Sequence, residues 1–363
     1  MKKKLLALFL CAAMVFSICA CQAGETEETK EVPVVKEMAS YEDFNQVLSG
    51  EYEITEELLG LYFTETLFEA GVGLMEVTDR DTVQDGDIVN ADYTGYKDGE
   101  AFAGGAAQAQ WIDVTNNSGF DISTGVSSGG FIQGFTDGLV GAKVGEKTEG
   151  NVTFPEGYHS SDLAGQPAVF EFVVNGIYIP VTLETITDAF VEEKLSKTYE
   201  VSTVAEFMEF LKEELAYNFT MNYLIKNSTF EIPASYVESR VADYQAYFEE
   251  LYCNDVSIEE YLSYYGYTLE DMQTAWKTEL ESQIKAELIF AKVVEEQELV
   301  LDEEGHDAYV QKIISVNSAY FSDADSIHKY AGAGNAEAGE NYLKTQTAVR
   351  KYVLEKYRST VTE

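Results

Sequence analysis

The sequence has 363 residues, of which 64 are Asp or Glu and 24 are Lys or Arg, so its formal net charge at pH 7 is −40. Such a charge excludes binding to a nucleic-acid backbone, because phosphates must be neutralised by Lys and Arg. Apolar residues make up 45% of the chain and aromatic residues 13%, which excludes a disordered acidic tail and predicts about two or three folded domains.

The first 20 residues carry the pattern of a secretory signal peptide. Three lysines, Lys2–Lys4, precede an apolar stretch from Leu5 to Phe16 that is too short to span a bilayer comfortably. The run Ile18-Cys19-Ala20-Cys21 resembles the lipobox of bacterial lipoproteins, which implies cleavage before Cys21 and acylation of its thiol. An ordinary signal peptide, cut after Ala20 or Ala23, is the alternative. We therefore predict an extracytoplasmic protein, anchored through lipid on Cys21 to the cell membrane of a bacterium.

Two short segments follow this peptide. Residues 21–40 are acidic and lack hydrophobic periodicity, so we predict a tether. Residues 41–76 are predicted to form a short helical segment, with a strand-like stretch from Tyr52 to Thr55 and an amphipathic helix from Glu56 to Ala70. We expect this segment to pack against the C-terminal helices, since a lone helix of this length is marginal in water.

Residues 77–181 differ in composition from the rest of the chain. Glycine is frequent here, and the runs Ile88–Tyr93 and Ala168–Val174 consist largely of β-branched, aromatic and small apolar residues. Such runs between glycine-rich turns are typical of strands. This block is therefore predicted to be a β-rich domain.

From residue 182 to residue 363 the pattern is helical. The sequence Thr203-x-x-Glu206 is typical of a capping box at the beginning of a helix. Together with the preceding block, these helices predict an α+β protein. Further amphipathic helices are predicted at about 234–252, 257–265, 268–297, 302–328 and 336–359.

Several motifs follow one another within residues 77–181. They are Asp92-Tyr93-Thr94-Gly95, Asp98-Gly99-Glu100-Ala101-Phe102, Phe131-Ile132-Gln133-Gly134-Phe135 and Phe154-Pro155-Glu156-Gly157-Tyr158. Their order resembles an FKBP-type peptidyl-prolyl cis-trans isomerase domain, in the version that is inserted in trigger factor. The resemblance implies a curved antiparallel sheet around a short helix, and isomerisation of Xaa-Pro bonds.

The helical residues 182–363 resemble the all-α C-terminal chaperone region of trigger factor, including the run Phe230-Glu231-Ile232-Pro233. This resemblance implies binding of unfolded polypeptides. The ribosome-docking domain of trigger factor, with its Gly-Phe-Arg-type signature, is not recognisable in residues 22–76. We therefore predict that the partners are unfolded or newly exported polypeptides that contain Xaa-Pro bonds, and not the ribosome.

Isomerisation of an Xaa-Pro bond requires no nucleophile. Rotation about a peptide bond meets a barrier of about 18–20 kcal/mol, and the unaided reaction takes about 10–100 s. The twisted amide has less charge separation than the planar one, so an apolar pocket that excludes water stabilises the twisted state. A hydrogen-bond donor at the carbonyl adds to that stabilisation. A cluster of aromatic residues with few charges is the site that this chemistry needs.

The resemblance implies seven pocket residues. Phe135 stands where the family keeps the aromatic floor under the proline ring, Tyr158 where a phenol donates to the substrate carbonyl, and Ile132 where the backbone N–H docks the substrate. The alternative is that these side chains are only the core of a small β-domain. The predicted pocket residues are Tyr93, Phe102, Phe120, Ile132, Phe135, Tyr158 and Phe170.

Two departures from the family pattern affect this prediction. Ala103 stands after Phe102, where the family usually carries Asp or Glu, and this puts turnover in doubt. Residues 106–119 form a longer connection than usual, so Trp111 is an alternative to Phe120 at the pocket rim. A holdase that binds peptides without catalysis is therefore the second hypothesis, and a structural or adhesive surface lipoprotein is the third.

No cofactor or metal is predicted. His306 and His328 lack the spacing and the Cys partners of a zinc site. The acidic clusters near residues 302–304 and 323–325 miss the spacing of EF-hand ligands. Besides the anchor Cys21, Cys253 is the one cysteine that would remain after cleavage, and we expect it to be a small buried hydrophobic residue.

Overall fold

The structure is a computed structural model that describes residues 32–253, 256–318 and 320–361. The predicted signal peptide, Cys21 and the first part of the predicted tether lie outside the described residues. The chain forms two compact units. One is Thr55–Lys212, and the described part of the other falls in residues 32–54 and 213–361. No helix among the described residues is long and apolar enough to cross a membrane.

The elements confirm the predicted α+β class, with antiparallel strands and a helical C-terminal region. The strands are β1 (Val34–Glu37), β2 (Leu74–Glu76), β3 (Ile88–Lys97), β4 (Glu100–Asp113), β5 (Ser118–Asp121), β6 (Val126–Gly130), β7 (Lys147–Thr153), β8 (Pro167–Pro180) and β9 (Thr229–Glu231). The helices are α1 (Phe44–Val47), α2 (Glu56–Glu69), α3 (Asp188–Lys194), α4 (Ser196–Tyr199), α5 (Val204–Asn227), α6 (Ala234–Phe248), α7 (Ile258–Tyr265), α8 (Leu269–Glu296), α9 (Glu303–Val316), α10 (Ala324–Ala331) and α11 (Ala336–Val361).

Side-chain caps fix the beginnings of several helices. The Thr55 hydroxyl accepts a hydrogen bond from the N–H of Leu58 at the start of α2. The predicted capping box of α5 is confirmed, because Glu206 N–H donates to the Thr203 hydroxyl (3.2 Å) and Thr203 N–H donates to the Glu206 carboxylate (3.1 Å). Each cap satisfies backbone donors that have no partner within the helix.

A seven-stranded sheet organises the unit of residues 55–212. Its strand order is β2-β8-β3-β4-β5-β6, and β7 pairs with β8 on the edge opposite β3, next to β2; the pairings are antiparallel. Alternate residues of β8, from Ala168 to Val174, are buried on one face, as the two-residue period of a strand requires. The predicted short helix is a single 3₁₀ turn, Thr136–Gly138, which follows the buried ring of Phe135.

The other unit is built around the C-terminal helices. Its main core contains Tyr217 of α5, Phe290 of α8, Val349 of α11 and the N-terminal residue Phe44. A second cluster, around Phe248 and Trp276, includes Cys253, which is buried as expected. Residues 41–54 therefore pack with the C-terminal helices, whereas α2 belongs to the other unit, where Phe63 lies 6.0 Å from Phe207 between ring centroids.

Three elements differ from the predictions. Residues 34–37 of the predicted tether form β1, which pairs with β9. The predicted strand at Tyr52–Thr55 is absent from the described chain, which forms a 3₁₀ turn at Gly50–Tyr52 instead. The predicted helix 302–328 is two helices, α9 and α10, because Asp323 caps a new helix through the N–H of Ser326 (2.9 Å).

A buried ion pair joins α6 to α8. The guanidinium of Arg240 donates two hydrogen bonds to the Glu287 carboxylate, each 3.0 Å long, and Gln283 donates a third at 3.2 Å. The side chains of Arg240 and Glu287 are 10% and 2% exposed. A pair this deep in the protein retains its charges only because both partners are present.

Candidate active site

Six of the seven predicted pocket residues belong to one hydrophobic cluster. They come from separate parts of the sheet unit: Tyr93 from β3, Phe102 from β4, Ile132 and Phe135 from the segment after β6, Tyr158 from the segment after β7, and Phe170 from β8. The sheet therefore brings together residues that lie far apart in the sequence.

Phe135 lies at the centre of the cluster. Its ring centroid is 5.1 Å from that of Tyr93, 4.8 Å from that of Phe170 and 5.0 Å from that of Phe172. All three contacts are edge-to-face, the arrangement that aromatic quadrupoles favour. Phe135 is 2% exposed, and this packing fixes its ring.

Solvent reaches the rim of the cluster rather than its base. Tyr93, Phe102, Ile132 and Tyr158 are partly exposed, whereas Phe135 and Phe170 are buried. Burial raises the pKa of the Tyr93 phenol above its ordinary value, so this hydroxyl stays protonated at neutral pH. The rim therefore combines apolar area with phenol groups that are able to donate hydrogen bonds.

Two glycines allow Phe102 to lie close against the backbone. A Cβ on Gly95 would stand 2.4 Å from the ring of Phe102, and a Cβ on Gly105 would stand 2.3 Å from it. Such distances are too short for any side chain, so both positions must be glycine while the ring stays in place. The neighbouring Ala103 is exposed and brings no carboxylate to the cluster.

The structure does not bring Phe120 into this cluster. Its ring packs on Phe68 of α2, 6.0 Å away between centroids, in a separate cluster with Ile88. Trp111 belongs to that same cluster and lies 4.8 Å from Tyr178. The long connection before Phe120 allows β5 and β6 to form a hairpin of their own, and this hairpin displaces Phe120 from its expected position.

Besides Phe172, two more aromatic residues that the sequence prediction missed belong to the cluster. Phe131 stacks on Phe135, with centroids 4.3 Å apart and ring planes 22° apart. Phe154 lies between Phe102, at 5.7 Å, and Tyr158, at 4.6 Å. Both residues stand inside motifs that carried the family resemblance, so their position beside predicted pocket residues was the available signal.

Ile132 has the geometry of a docking group. Its carbonyl accepts hydrogen bonds from Phe135 N–H and from the side chain of Asn117, both 3.1 Å long. Within the described part of the chain, no acceptor is found for its backbone N–H. This N–H is therefore able to donate to a bound peptide.

A cavity of about 920 Å³ lies along β7 and β8. Its lining mixes charged and polar residues of β7 and β8, including Glu149, Asn151 and Glu171, with apolar ones such as Val152 and Ala168, and it includes none of the seven predicted pocket residues. Glu171 is paired with Lys147 at 2.8 Å. Charged side chains in this lining retain water near a bound amide, so the aromatic cluster is the better candidate for the isomerase site.

The fold pairs two histidines that the sequence analysis treated separately. The Nε2 atoms of His306 in α9 and His328 in α10 are 3.2 Å apart. His306 is 1% exposed, and its Nδ1 is buried without a hydrogen-bond partner. A proton on Nδ1 would therefore be unpaired, so the favoured tautomer donates from Nε2 of His306 to His328. Among the described residues, no three metal-ligating side chains come together.

This pair predicts a loss of stability in mild acid. Burial, His328 and Lys344 lower the pKa of His306, while Glu340 and Asp307 oppose them. The unfolded chain then binds more protons, so stability falls as the pH drops through the unfolded value near 6.5. We expect the melting temperature of the helical unit to fall by about 2–4 °C between pH 7.5 and 5.5, an effect on the order of 1 kcal/mol.

Calorimetry on the full chain measures this shift, and His306→Leu supplies the comparison. The variant has no imidazole at this position to protonate, so its melting temperature should change less across the same pH range. Equal pH dependence in both proteins would show that His306 is not the responsible group.

Comparison with known proteins supports the two regions. Residues 79–175 match the model of the FKBP-type peptidyl-prolyl cis-trans isomerase family, and residues 193–351 match that of the bacterial trigger factor C-terminus. The trigger factor of Macrococcus caseolyticus is 28% identical over 324 residues, covering 85% of this chain and 70% of that protein. The trigger factor of Acetivibrio thermocellus is 30% identical over 300 residues, covering 78% and 64%.

Coverage of these relatives is incomplete, since the chain spans about 60–70% of the length of the curated proteins that it matches. A solved structure from work on promiscuous substrate recognition by the trigger factor chaperone aligns at 17% identity, over 98% of this chain and 82% of that one. Its TM-score is 0.29, which is too low to support an argument.

The predicted location is contradicted by the relatives. They are trigger factors, which are cytoplasmic chaperones, and not extracytoplasmic lipoproteins. The predicted lipid anchor on Cys21 finds no support in these comparisons. The prediction rested on a short pattern of charged, apolar and small residues, whereas the relatives match across most of the chain.

Proposed function

We propose that the chain is a folding chaperone that isomerises Xaa-Pro bonds, since residues 79–175 match the FKBP-type isomerase family and residues 193–351 match the trigger factor C-terminus. The observation that carries this proposal is the aromatic cluster around Phe135, with a buried base and a partly exposed rim. Its clients are unfolded polypeptides that contain such bonds. We assign the isomerase to residues 77–181 and chaperone binding to residues 182–363.

The cluster provides each element that the reaction needs. Tyr93, Phe102 and Phe170 form apolar walls that exclude water from the amide, which favours the twisted state over the more polar planar state. The N–H of Ile132 docks the peptide backbone, and the phenol of Tyr158 donates to the substrate carbonyl. These donors act in a site of low polarity, where a hydrogen bond is stronger than in water.

The ring of Phe131 covers Phe135 and moves aside to admit the substrate. Phe135 is 2% exposed, and the ring of Phe131 stacks on it at 4.3 Å. A proline ring that contacts Phe135 needs part of the space around that ring, so Phe131 rotates away when substrate binds. Side-chain rotation is fast compared with the ~10–100 s of the uncatalysed reaction.

The Tyr158 hydroxyl provides the first test. A protease-free cis/trans assay on an Xaa-Pro peptide should show acceleration by the full chain. We expect Tyr158→Phe to lower kcat/KM about fivefold, because one hydrogen bond contributes about 0.5–1.5 kcal/mol. Tyr178→Phe is the matched control, since Tyr178 packs in the separate cluster with Phe120 and should retain full activity.

The second candidate function is a holdase that binds peptides without catalysis. The exposed methyl group of Ala103 favours it, because the family usually has a carboxylate there. No acceleration by a folded full chain that still suppresses client aggregation would replace the isomerase proposal with this one. Equal activity of Tyr158→Phe and the unchanged protein would remove only the role of the hydroxyl.

A further inference from the structure

Asn117 lies in the tight turn between β4 and β5, outside the aromatic cluster. Its φ angle is +48°, in the left-handed region that asparagine adopts more readily than most residues. Its backbone carbonyl accepts a hydrogen bond from Phe131 N–H (2.8 Å). The turn is therefore fastened to the beginning of the segment 131–136, which contains three residues of the cluster.

The side-chain amide of Asn117 binds the same segment at further points. Its Nδ2 donates to the carbonyls of Phe131 and Ile132, both at 3.1 Å. Its Oδ1 accepts from Thr136, from the backbone N–H at 3.1 Å and from the hydroxyl at 3.2 Å. Carbonyls only accept and a backbone N–H only donates, so these partners determine which way the amide points.

These bonds determine the direction of the Ile132 N–H. In a trans peptide, the carbonyl of one residue and the N–H of the next point in opposite directions. The Phe131 carbonyl points at Asn117, so the Ile132 N–H in the same peptide plane points away from it. That N–H has no acceptor within the described part of the chain, and it is the donor assigned above to the substrate.

A buried hydrogen-bond network holds the turn itself. Asp113 accepts hydrogen bonds from Asn116 N–H (3.0 Å), from Asn116 Nδ2 (2.7 Å) and from the Ser127 hydroxyl. Burial of Asp113 opposes its charge, but the hydrogen bonds from Ser127 and Asn116 outweigh it and keep the pKa of the carboxyl below its ordinary value. These hydrogen bonds hold the turn independently of its contacts with the segment 131–136.

We propose that Asn117 is a positioning residue for the isomerase site, which aims the Ile132 N–H at the substrate backbone through the peptide plane that it shares with Phe131. This inference rests on the proposed function. A clamp of five hydrogen bonds, counting the one to the backbone carbonyl, leaves the Phe131 side chain free to rotate while its backbone stays fixed. The site thereby combines a mobile ring with an immobile donor.

The test is Asn117→Gly in the full chain. Glycine accepts a positive φ, so the turn is retained while all four side-chain hydrogen bonds are lost. We expect KM for an Xaa-Pro peptide to rise about fivefold with kcat within about twofold, because a docking donor binds the substrate before and during twisting. Asn175→Ala is the matched control: its Nδ2 also donates two hydrogen bonds, to Asn90 and Asp92, and KM should not change.

A second readout does not depend on activity. Thr136 N–H loses its acceptor in Asn117→Gly, so its amide hydrogen exchange should accelerate at least about tenfold. Faster exchange with an unchanged KM would reduce Asn117 to a structural role and overturn the proposal, and unchanged exchange would overturn the clamp itself. If the unchanged protein does not accelerate isomerisation, the proposed function fails. The dissociation constant of the Xaa-Pro peptide then replaces KM as the test, and the positioning role requires Asn117→Gly to raise it about fivefold.

A milder variant covers the case in which Asn117→Gly does not fold. Thr136→Val retains the shape of a buried side chain and removes only the hydroxyl that donates to Asn117. We expect this variant to raise KM about twofold, a smaller rise than in Asn117→Gly. A folded Thr136→Val protein with unchanged KM and peptide affinity would contradict the proposal.

Discussion

Replacement of Phe135 by leucine should lower kcat/KM at least about tenfold on an Xaa-Pro peptide. Leucine preserves most of the buried volume, but it lacks the flat face that meets Tyr93, Phe131 and Phe170 at 4.3–5.1 Å. The walls of the pocket lose their common support, and the proline ring loses the surface on which it rests. The lost contacts hold the twisted amide, so most of the fall in kcat/KM should come from a lower kcat.

The matched control is Phe172→Leu. Phe172 is fully buried in the same cluster, 5.0 Å from Phe135, and it is not among the predicted pocket residues. Leucine keeps a large apolar side chain and should cost less stability than a truncation to alanine, which costs about 3–5 kcal/mol, so both variants should remain folded. Phe172→Leu should keep kcat/KM within about threefold, and an equal loss in the two variants would mean that core packing, and not a floor under the substrate, controls the rate.

Replacement of Arg240 by methionine should destabilise the helical unit by about 3–5 kcal/mol, because it leaves Glu287 buried and unpaired. Burial already raises the pKa of Glu287 to about 7 against the opposing effect of Arg240. A folded-state pKa above the unfolded value means that stability falls as the pH rises through it. The loss of stability in Arg240→Met, relative to the unchanged protein, should therefore be larger at pH 8 than at pH 5.

Urea unfolding is the appropriate measurement, followed by tryptophan fluorescence in a Trp111→Phe background. The remaining Trp276 is buried in α8, the helix that contains Glu287, so its signal reports on the unit that the substitution affects. The double variant Arg240→Met with Glu287→Leu should recover stability to within roughly 1 kcal/mol, because no buried charge remains. A single variant no less stable than the double variant would argue against an unpaired charge as the cause.

Local patterns in the sequence were sufficient for most of the helices. The boundaries of α2 and the capping box of α5 depend on residues within one or two turns, and both were predicted. Strand β1 was not predicted, because its exposed residues have no hydrophobic pattern and its partner β9 is almost 200 residues away. The same limit applies to His306 and His328, which meet only when α9 packs against α10.

The residues of the candidate site that lie in or next to the sequence motifs could be predicted. Tyr93, Phe102, Phe135 and Phe170 stand within or next to the short motifs that carried the family resemblance, and the structure brings them together. Phe120 lies in β5, which pairs with β6 in a hairpin of its own, and its ring packs on Phe68 instead of joining the cluster. Asn117 escaped notice as well, since its role depends on which backbone groups that hairpin approaches.

The pairing of β1 with β9 has a consequence for the timing of synthesis. Val34 pairs with Glu231, and residues 55–212 form a separate compact unit between them. A ribosome that adds about 5–20 residues per second needs roughly 10–40 s to reach the second strand after it has made the first. The unit with the aromatic cluster is complete in sequence before that moment, so it is free to fold first. The N-terminal strand, in contrast, waits for a partner that is made only after that unit.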